Sequence, residues 1–112
     1  MNGQELATAA QHGADLLVIV VDNSSYGTIR MHQEREYPER ISGTKLSNPD
    51  FAALARAFGA SVAETVTTTD EFAPALDKAL GAKGVRLLHC KTDVEQITNA
   101  TTIAKLREKA KT

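Results

Sequence analysis

Apolar positions along the chain follow two rhythms, one helical and one extended. In "GQELATAAQHG", Leu6, Ala9 and Ala10 share a helical face, and Gly13 provides a natural stop. "DLLVIVVD" is then an unbroken apolar, β-branched run ending at Asp22, the pattern of a strand covered on both faces. "YGTIRMHQERE" begins a short helix through Ile29, Met31 and Glu34, whereas "YPERISGTKLS", with Pro, Gly and mixed charge, reads as a loop. "SNPDFAALARAFGA" carries the clearest helix. Asn48 is placed to cap it, Pro49 takes the first helical position and Asp50 complements the dipole. Phe51, Leu54, Ala55 and Phe58 form its apolar stripe, and Gly59 closes it. "SVAETV" predicts a short strand. "TDEFAPALDKALGAKG" predicts a helix with Phe72, Leu76, Ala79 and Leu80 inward, starting near Asp70 because Pro74 belongs in a first turn. "VRLLHC" predicts a third strand, and "TIAKLREKAKT" a short charged helix at the edge.

Helices alternating with short apolar strands predict an α/β fold, three-layer, with a mostly parallel sheet and flanking helices. Residues 1–112 read as one domain, without repeats or an interdomain linker. In such sheets ligands bind where loops leave the carboxyl ends of strands. "DNSSYGTIR", Asp22 to Arg30, stands at that place, directly after the apolar run.

Composition narrows the partners. Thirteen basic and fourteen acidic residues are interspersed, with no basic block suited to nucleic acid. The apolar run from Leu16 to Val21 is far too short to span a membrane, and the polar, Ala-rich start does not resemble a signal peptide. A single cysteine, Cys90, forms neither an internal disulfide nor a zinc cluster, which fits a cytoplasmic setting.

The chemistry lies in the polar turn. Asn23 offers a neutral amide oxygen to a hard cation such as Mg2+, and Ser25 can turn its backbone carbonyl to the same ion. Gly27 lets the backbone approach a phosphate, and a helix starting at Tyr26 or Gly27 would point free amides at an anion. The alternative is a plain strand-to-helix turn with an Asn cap. His12, His32 and His89 lack metal-site spacing. His89 reads as a core or edge histidine, His32 as a loop histidine that could face a substrate, and Cys90 as a small buried hydrophobe. Arg30 and Arg35 are both candidates to pair with a substrate carboxylate.

"MNGQELATAAQHGADLLVIVVDNSSYGTIR" resembles the second half of the thiamine-diphosphate-binding motif of the acetolactate synthase, benzoylformate decarboxylase and pyruvate oxidase superfamily. The similarity continues through "HQEREYPERISGTKLSNPDFAALARAFGA" and covers nearly the whole chain. It implies that Asn23 is a magnesium ligand, that Ser25 ligates through its carbonyl, and that Tyr26, Gly27 and Thr28 lie against the diphosphate. Asp22 departs from the family's usual first Asn. That position is not the family's metal ligand, so the change is tolerable, though a second carboxylate nearby would bear on metal affinity. Met31 to Leu46 matches a mobile stretch over the cofactor. The family's Gly-Asp-Gly element, which carries a ligating aspartate, belongs just upstream of Met1. The glutamate that activates the cofactor ring belongs to a separate domain, normally of a neighbouring subunit.

The resemblance therefore implies the C-terminal part of a thiamine-diphosphate- and Mg2+-dependent enzyme acting on 2-oxo acids by decarboxylation or carboligation. This chain would carry no catalytic residue and would be inactive alone. Its expected partners are N-terminal domains of a parent enzyme or a partner subunit, and a homo-oligomer. The competing reading is a non-catalytic α/β module that acts by association with a partner.

Overall fold

The computed structural model describes residues 2–111. In chain order the elements are α1 (Glu5–Gln11), β1 (Leu16–Asp22), α2 (Gly27–Glu36), α3 (Phe51–Ala57), β2 (Val62–Val66), α4 (Thr69–Leu80), β3 (Val85–Lys91) and α5 (Ile103–Lys111). They fall into two units. The first holds the residues up to Asp22 together with Pro49–Lys91, and the second holds Asn23–Asn48 together with the segment from Thr92 onward.

The first unit is built on a parallel three-stranded sheet of order β1-β3-β2. β1 pairs with β3 from Leu16↔Val85 to Asp22↔Lys91, and β2 pairs with β3 from Val62↔Arg86 to Val66↔Cys90. Side chains alternate across the sheet, so each strand feeds two layers. On one face Val62, Val66 and Leu88 pack with Ala75 and Ala79 of α4. On the other, Ala63 and Leu87 pack with Ala52 and Ala55 of α3, flanked by Leu6 of α1 and by Val18, Val20 and Phe51. The fold class predicted from the sequence, a parallel sheet between helices, is the one observed.

The strand covered on both faces is β3, whose first five residues are all buried. β1 is an edge strand. Leu17, Ile19 and Val21 share the face carrying α4, but α4 lies over β2 and β3. Ile19 is consequently 45% and Val21 71% exposed. The apolar run of β1 predicts cover on each side; an edge position leaves Ile19 and Val21 bare.

Helix ends also differ from expectation. Asp50, not Asn48, is the N-cap of α3, and its carboxylate accepts from Ala53 N at 3.1 Å. Pro49 therefore precedes the helix. Asp50 takes the extended backbone of a cap residue, and its carboxylate reaches the free Ala53 amide three residues on and closes the first turn. Gly13 and Gly59 follow α1 and α3 at φ +64° and +91°, where a glycine is favoured. Pro74 sits inside α4, in its second turn rather than its first. It faces solvent, so the carbonyl deprived of an amide partner can be served by water. The buried stripe of α4 is Ala75 and Ala79, while Leu80, expected inward, is 61% exposed. Arg86 closes the far end of α4 by donating to the carbonyls of Ala79 and Ala82 and to the carboxylate of Asp15.

In the second unit α2 packs on α5. The charged tail predicted as an edge helix buries Ile103 and Leu106 along one stripe.

Candidate functional site

Asn23 is the first residue past β1, and its side chain organises the turn that follows. Its Oδ1 accepts from Ser25 N at 3.2 Å, an Asx turn that leaves further lone-pair capacity on the oxygen. Ser24 takes φ +54°, a left-handed conformation uncommon for serine. A returning segment latches the turn. Ser25 Oγ and Tyr26 N both donate to Thr44 O, at 3.0 and 2.8 Å, and Leu46 N donates to Ser24 O at 2.8 Å. Gln33 of α2 holds the same segment by donating to Ser42 O at 2.8 Å and accepting from Thr44 Oγ1 at 3.4 Å. The stretch matched to a mobile cover is thus helical up to Glu36 and hydrogen-bonded to the turn at Thr44 and Leu46.

α2 begins at Gly27 with Tyr26 as a cap residue that makes no side-chain capping bond. Arg30 N is the first amide bonded within the helix, to Tyr26 O at 2.9 Å. The amides of Gly27, Thr28 and Ile29 precede it and have no intrahelical acceptor. They border an open cavity of about 310 Å³ lined by Ser25, Tyr26, Gly27, Thr28 and Ile29. A Cβ on Gly27 would stand 2.9 Å from Asn23 Nδ2 and 3.7 Å from Ile97 Cδ1. Glycine therefore gives Asn23 its place. All five residues expected at a cofactor site, Asn23, Ser25, Tyr26, Gly27 and Thr28, lie in this one turn.

Chemically, the turn suits an anion at the positive end of a helix dipole, with the Thr28 hydroxyl as a further polar group. For a cation it offers the Asn23 amide oxygen and backbone carbonyls, which are neutral donors. Among the described residues no group of three His, Cys, Asp or Glu is placed to hold a metal ion. The donor set fits a diphosphate and part of a magnesium shell.

Asp22 is engaged within the first unit. It is buried, with Oδ2 2.7 Å from Nε2 of the equally buried His89. Phe51 meets the His89 ring edge-on, with centroids 4.9 Å apart. His89 is the core histidine its strand predicted, although Nδ1 finds no hydrogen-bond partner. His32 lies on α2 rather than in a loop, and it is exposed, as is His12. Cys90 is half-buried on the α4 face, and burial pushes its thiol pKa up.

Two residues escaped sequence reasoning. Glu34 is completely buried, and Arg107 of α5 grips it with two bonds, Nε to Oε2 at 2.7 Å and Nη2 to Oε1 at 2.8 Å. The Arg107 hydrogen bond, supported by Glu39 N and by the charges of Arg107 and Arg30, holds the Glu34 carboxyl below the usual range against the opposing effect of burial. Arg30 Nε lies 3.9 Å from Glu34 Oε1, so this candidate for a substrate carboxylate faces an internal one. Arg35 is exposed. The available signal was Arg107 following Ile103 at i+4, which sets a cation beside the buried stripe of α5.

Residues 1–90 match the family model described as thiamine pyrophosphate enzyme, C-terminal TPP binding domain. The acetolactate synthase isozyme 2 large subunit of Escherichia coli (strain K12) is 39% identical over 94 residues, covering 83% of this chain and 17% of that protein. The acetolactate synthase large subunit of Corynebacterium glutamicum is 39% identical over 84 residues, 70% of this chain and 13% of the relative. That of Parasynechococcus marenigrum is 48% identical over 61 residues, 53% and 10% respectively. The chain thus spans between a tenth and a sixth of the length of these relatives.

Proposed function

Because the chain belongs to the thiamine pyrophosphate enzyme C-terminal TPP-binding domain family, we propose that its turn at Asn23–Thr28 supplies part of a thiamine-diphosphate site. Gly27, Thr28 and Ile29 donate backbone amides to the diphosphate, and Tyr26 borders it. The Asn23 amide oxygen and the Ser25 carbonyl ligate Mg2+. When bound, thiamine diphosphate supplies the nucleophilic carbon that adds to the carbonyl of a 2-oxo acid. This chain's residues bind and orient the charged end of the cofactor, and they contribute no proton-transfer group.

The observation that carries this reading is the open helix start, bordered by its cavity and kept clear of side chain by Gly27. The acetolactate synthase relatives support a 2-oxo acid as the substrate class. A hard cation takes about six oxygens, and two neutral protein ligands are a poor shell. The anionic ligand and the group acting on the cofactor ring therefore come from elsewhere in a larger assembly, and residues 1–112 form the C-terminal part of the binding domain. No described helix is long and apolar enough to cross a membrane, and a cytoplasmic setting fits a chain with one cysteine.

Titration of Mg2+ and thiamine diphosphate into the isotope-labelled chain tests this. Weak binding, beyond the micromolar range, should shift the amide resonances of Gly27, Thr28 and Ile29 and be lost without Mg2+. Tight micromolar binding measured by calorimetry would show that the chain holds a complete site. Shifts confined to other residues would return it to a non-catalytic α/β module.

A further inference from the structure

The family match ends at residue 90, yet the segment beyond it touches α2 at both ends. At the start of α2, Ile97 Cδ1 lies 3.7 Å from where a Cβ on Gly27 would stand. Two helical turns further on, Arg107 makes its bidentate bond to the buried Glu34, whose Oε2 also accepts from Glu39 N at 3.0 Å. Positions two turns apart lie on one side of a helix. Gly27 and Glu34 therefore present a single face of α2 to the segment that carries Ile97 and Arg107.

The segment is itself tied together. Ile103 N and Ala104 N donate to the main-chain and side-chain oxygens of Glu95, at 3.0 and 2.6 Å, and Gln96 bridges to Thr102. The start of α5 is thereby bonded to the loop that holds Ile97. A fork-shaped guanidinium on a carboxylate fixes angle as well as distance, so it sets the rotation of α2 about its own axis. A rotation of α2 would swing the Gly27–Ile29 amides away from their cavity.

We propose that the segment from Thr92 to Lys111 is a brace for α2, with Arg107 and Ile97 as positioning residues for the amides of Gly27, Thr28 and Ile29. The inference rests on the reading of those amides as a diphosphate cradle. Arg107 acts through Glu34, at the opposite end of α2 from the cavity.

The test uses the labelled chain, Mg2+ with thiamine diphosphate as the probe, and three variants, Arg107→Gln, Arg107→Lys and Ile97→Ala. Without ligand, Arg107→Gln should lower hydrogen-exchange protection in α2 by about a hundredfold, because it strands a buried carboxylate. Protection in β3 should stay unchanged. On titration, the shifts at Gly27–Ile29 should need roughly tenfold more ligand in Arg107→Gln, a loss typical of disturbed outer-shell support. Arg107→Lys, which keeps charge but not the fork, should fall between. Ile97→Ala should weaken ligand binding while leaving protection around Glu34 intact. Unchanged α2 protection in Arg107→Gln would refute the brace. Lost protection with unchanged ligand response would refute positioning and leave Arg107 a purely structural residue. No response at Gly27–Ile29 in the unmodified chain would overturn the cradle, and with it the positioning role, whereas the ligand-free exchange data would still judge the brace.

Discussion

Asn23 and Gly27 share one small space, since a methyl group on Gly27 would come within 2.9 Å of the Asn23 side-chain nitrogen. The atom met is the end of a side chain, so it can move aside. In doing so it would give up the Asn23 Oδ1 bond to Ser25 N. Position and function are therefore separable here.

Gly27→Ala should leave stability within about 1 kcal/mol of the parent, because alanine's better helix propensity offsets the displaced Asn23. The Ser25 amide resonance should shift, and the response to Mg2+ and thiamine diphosphate should weaken. An unmoved Ser25 resonance would show that Asn23 tolerates the methyl in place.

Asp22→Asn and Asn23→Ala should separate folding from binding. Asp22 meets His89 inside the first unit, so Asp22→Asn should lower stability to urea by about 1 kcal/mol, the worth of weakening one buried hydrogen bond. The ligand response at Gly27–Ile29 should persist. Asn23→Ala removes the proposed Mg2+ ligand and should abolish most of that response at a small cost in stability. The opposite ranking would mean that the ligand has been assigned to the wrong residue.

Acid should loosen α2 from α5. The Glu34 carboxyl is held below its ordinary value of 4.5, first by the Arg107 hydrogen bond. A depressed folded-state pKa contributes stability that is present above the ordinary carboxylate value and lost as pH falls through the folded one. Helix content and α2 exchange protection should hold at neutral pH and fall below about pH 4.5, as Glu34 approaches protonation. Glu34→Gln should flatten that acid limb. An equally steep fall in the variant would assign the acid sensitivity to other carboxylates.

Self-association should follow from β1. Its outer edge has no partner strand among the described residues, and Ile19 and Val21 are exposed beside it. Such an edge invites sheet extension by a second copy. Light scattering over a dilution series should show concentration-dependent mass, and Val21→Lys should shift the population toward a 12.0 kDa monomer. A monodisperse monomer at every concentration would remove β1 as an assembly surface.

Local rules carried the reading of elements a long way. The apolar blocks at Leu16, Val62 and Val85 became the three strands, and every predicted helix formed. What local rules could not see was which neighbours each element would have. Leu80 fits an apolar stripe by spacing, but the alanines of α4 approach the sheet closely and leave Leu80 outside. β1 and β3 carry similar patterns, yet only β3 is central. The turn from Asn23 to Thr28 was legible because its chemistry is contiguous. Glu34 and Arg107 were not, since their 73-residue separation is closed only by the pairing of α2 with α5. The contact between Asp22 and His89 was hidden for the same reason, since 67 positions separate them and only the pairing of β1 with β3 brings them together.

That strand order reaches into biosynthesis. β3 is the middle strand of the sheet and, among the described strands, the last to leave a ribosome, and β1 and β2 pair with it rather than with each other. Until Val85–Lys91 has emerged, neither β1 nor β2 has the partner it holds in this sheet. "LLVIVV" must wait, extended and adhesive, through the synthesis of some sixty further residues. The nascent chain thus exposes the apolar stretch of β1 well before the strand that pairs with it here exists, which makes that stretch a natural foothold for a ribosome-associated chaperone.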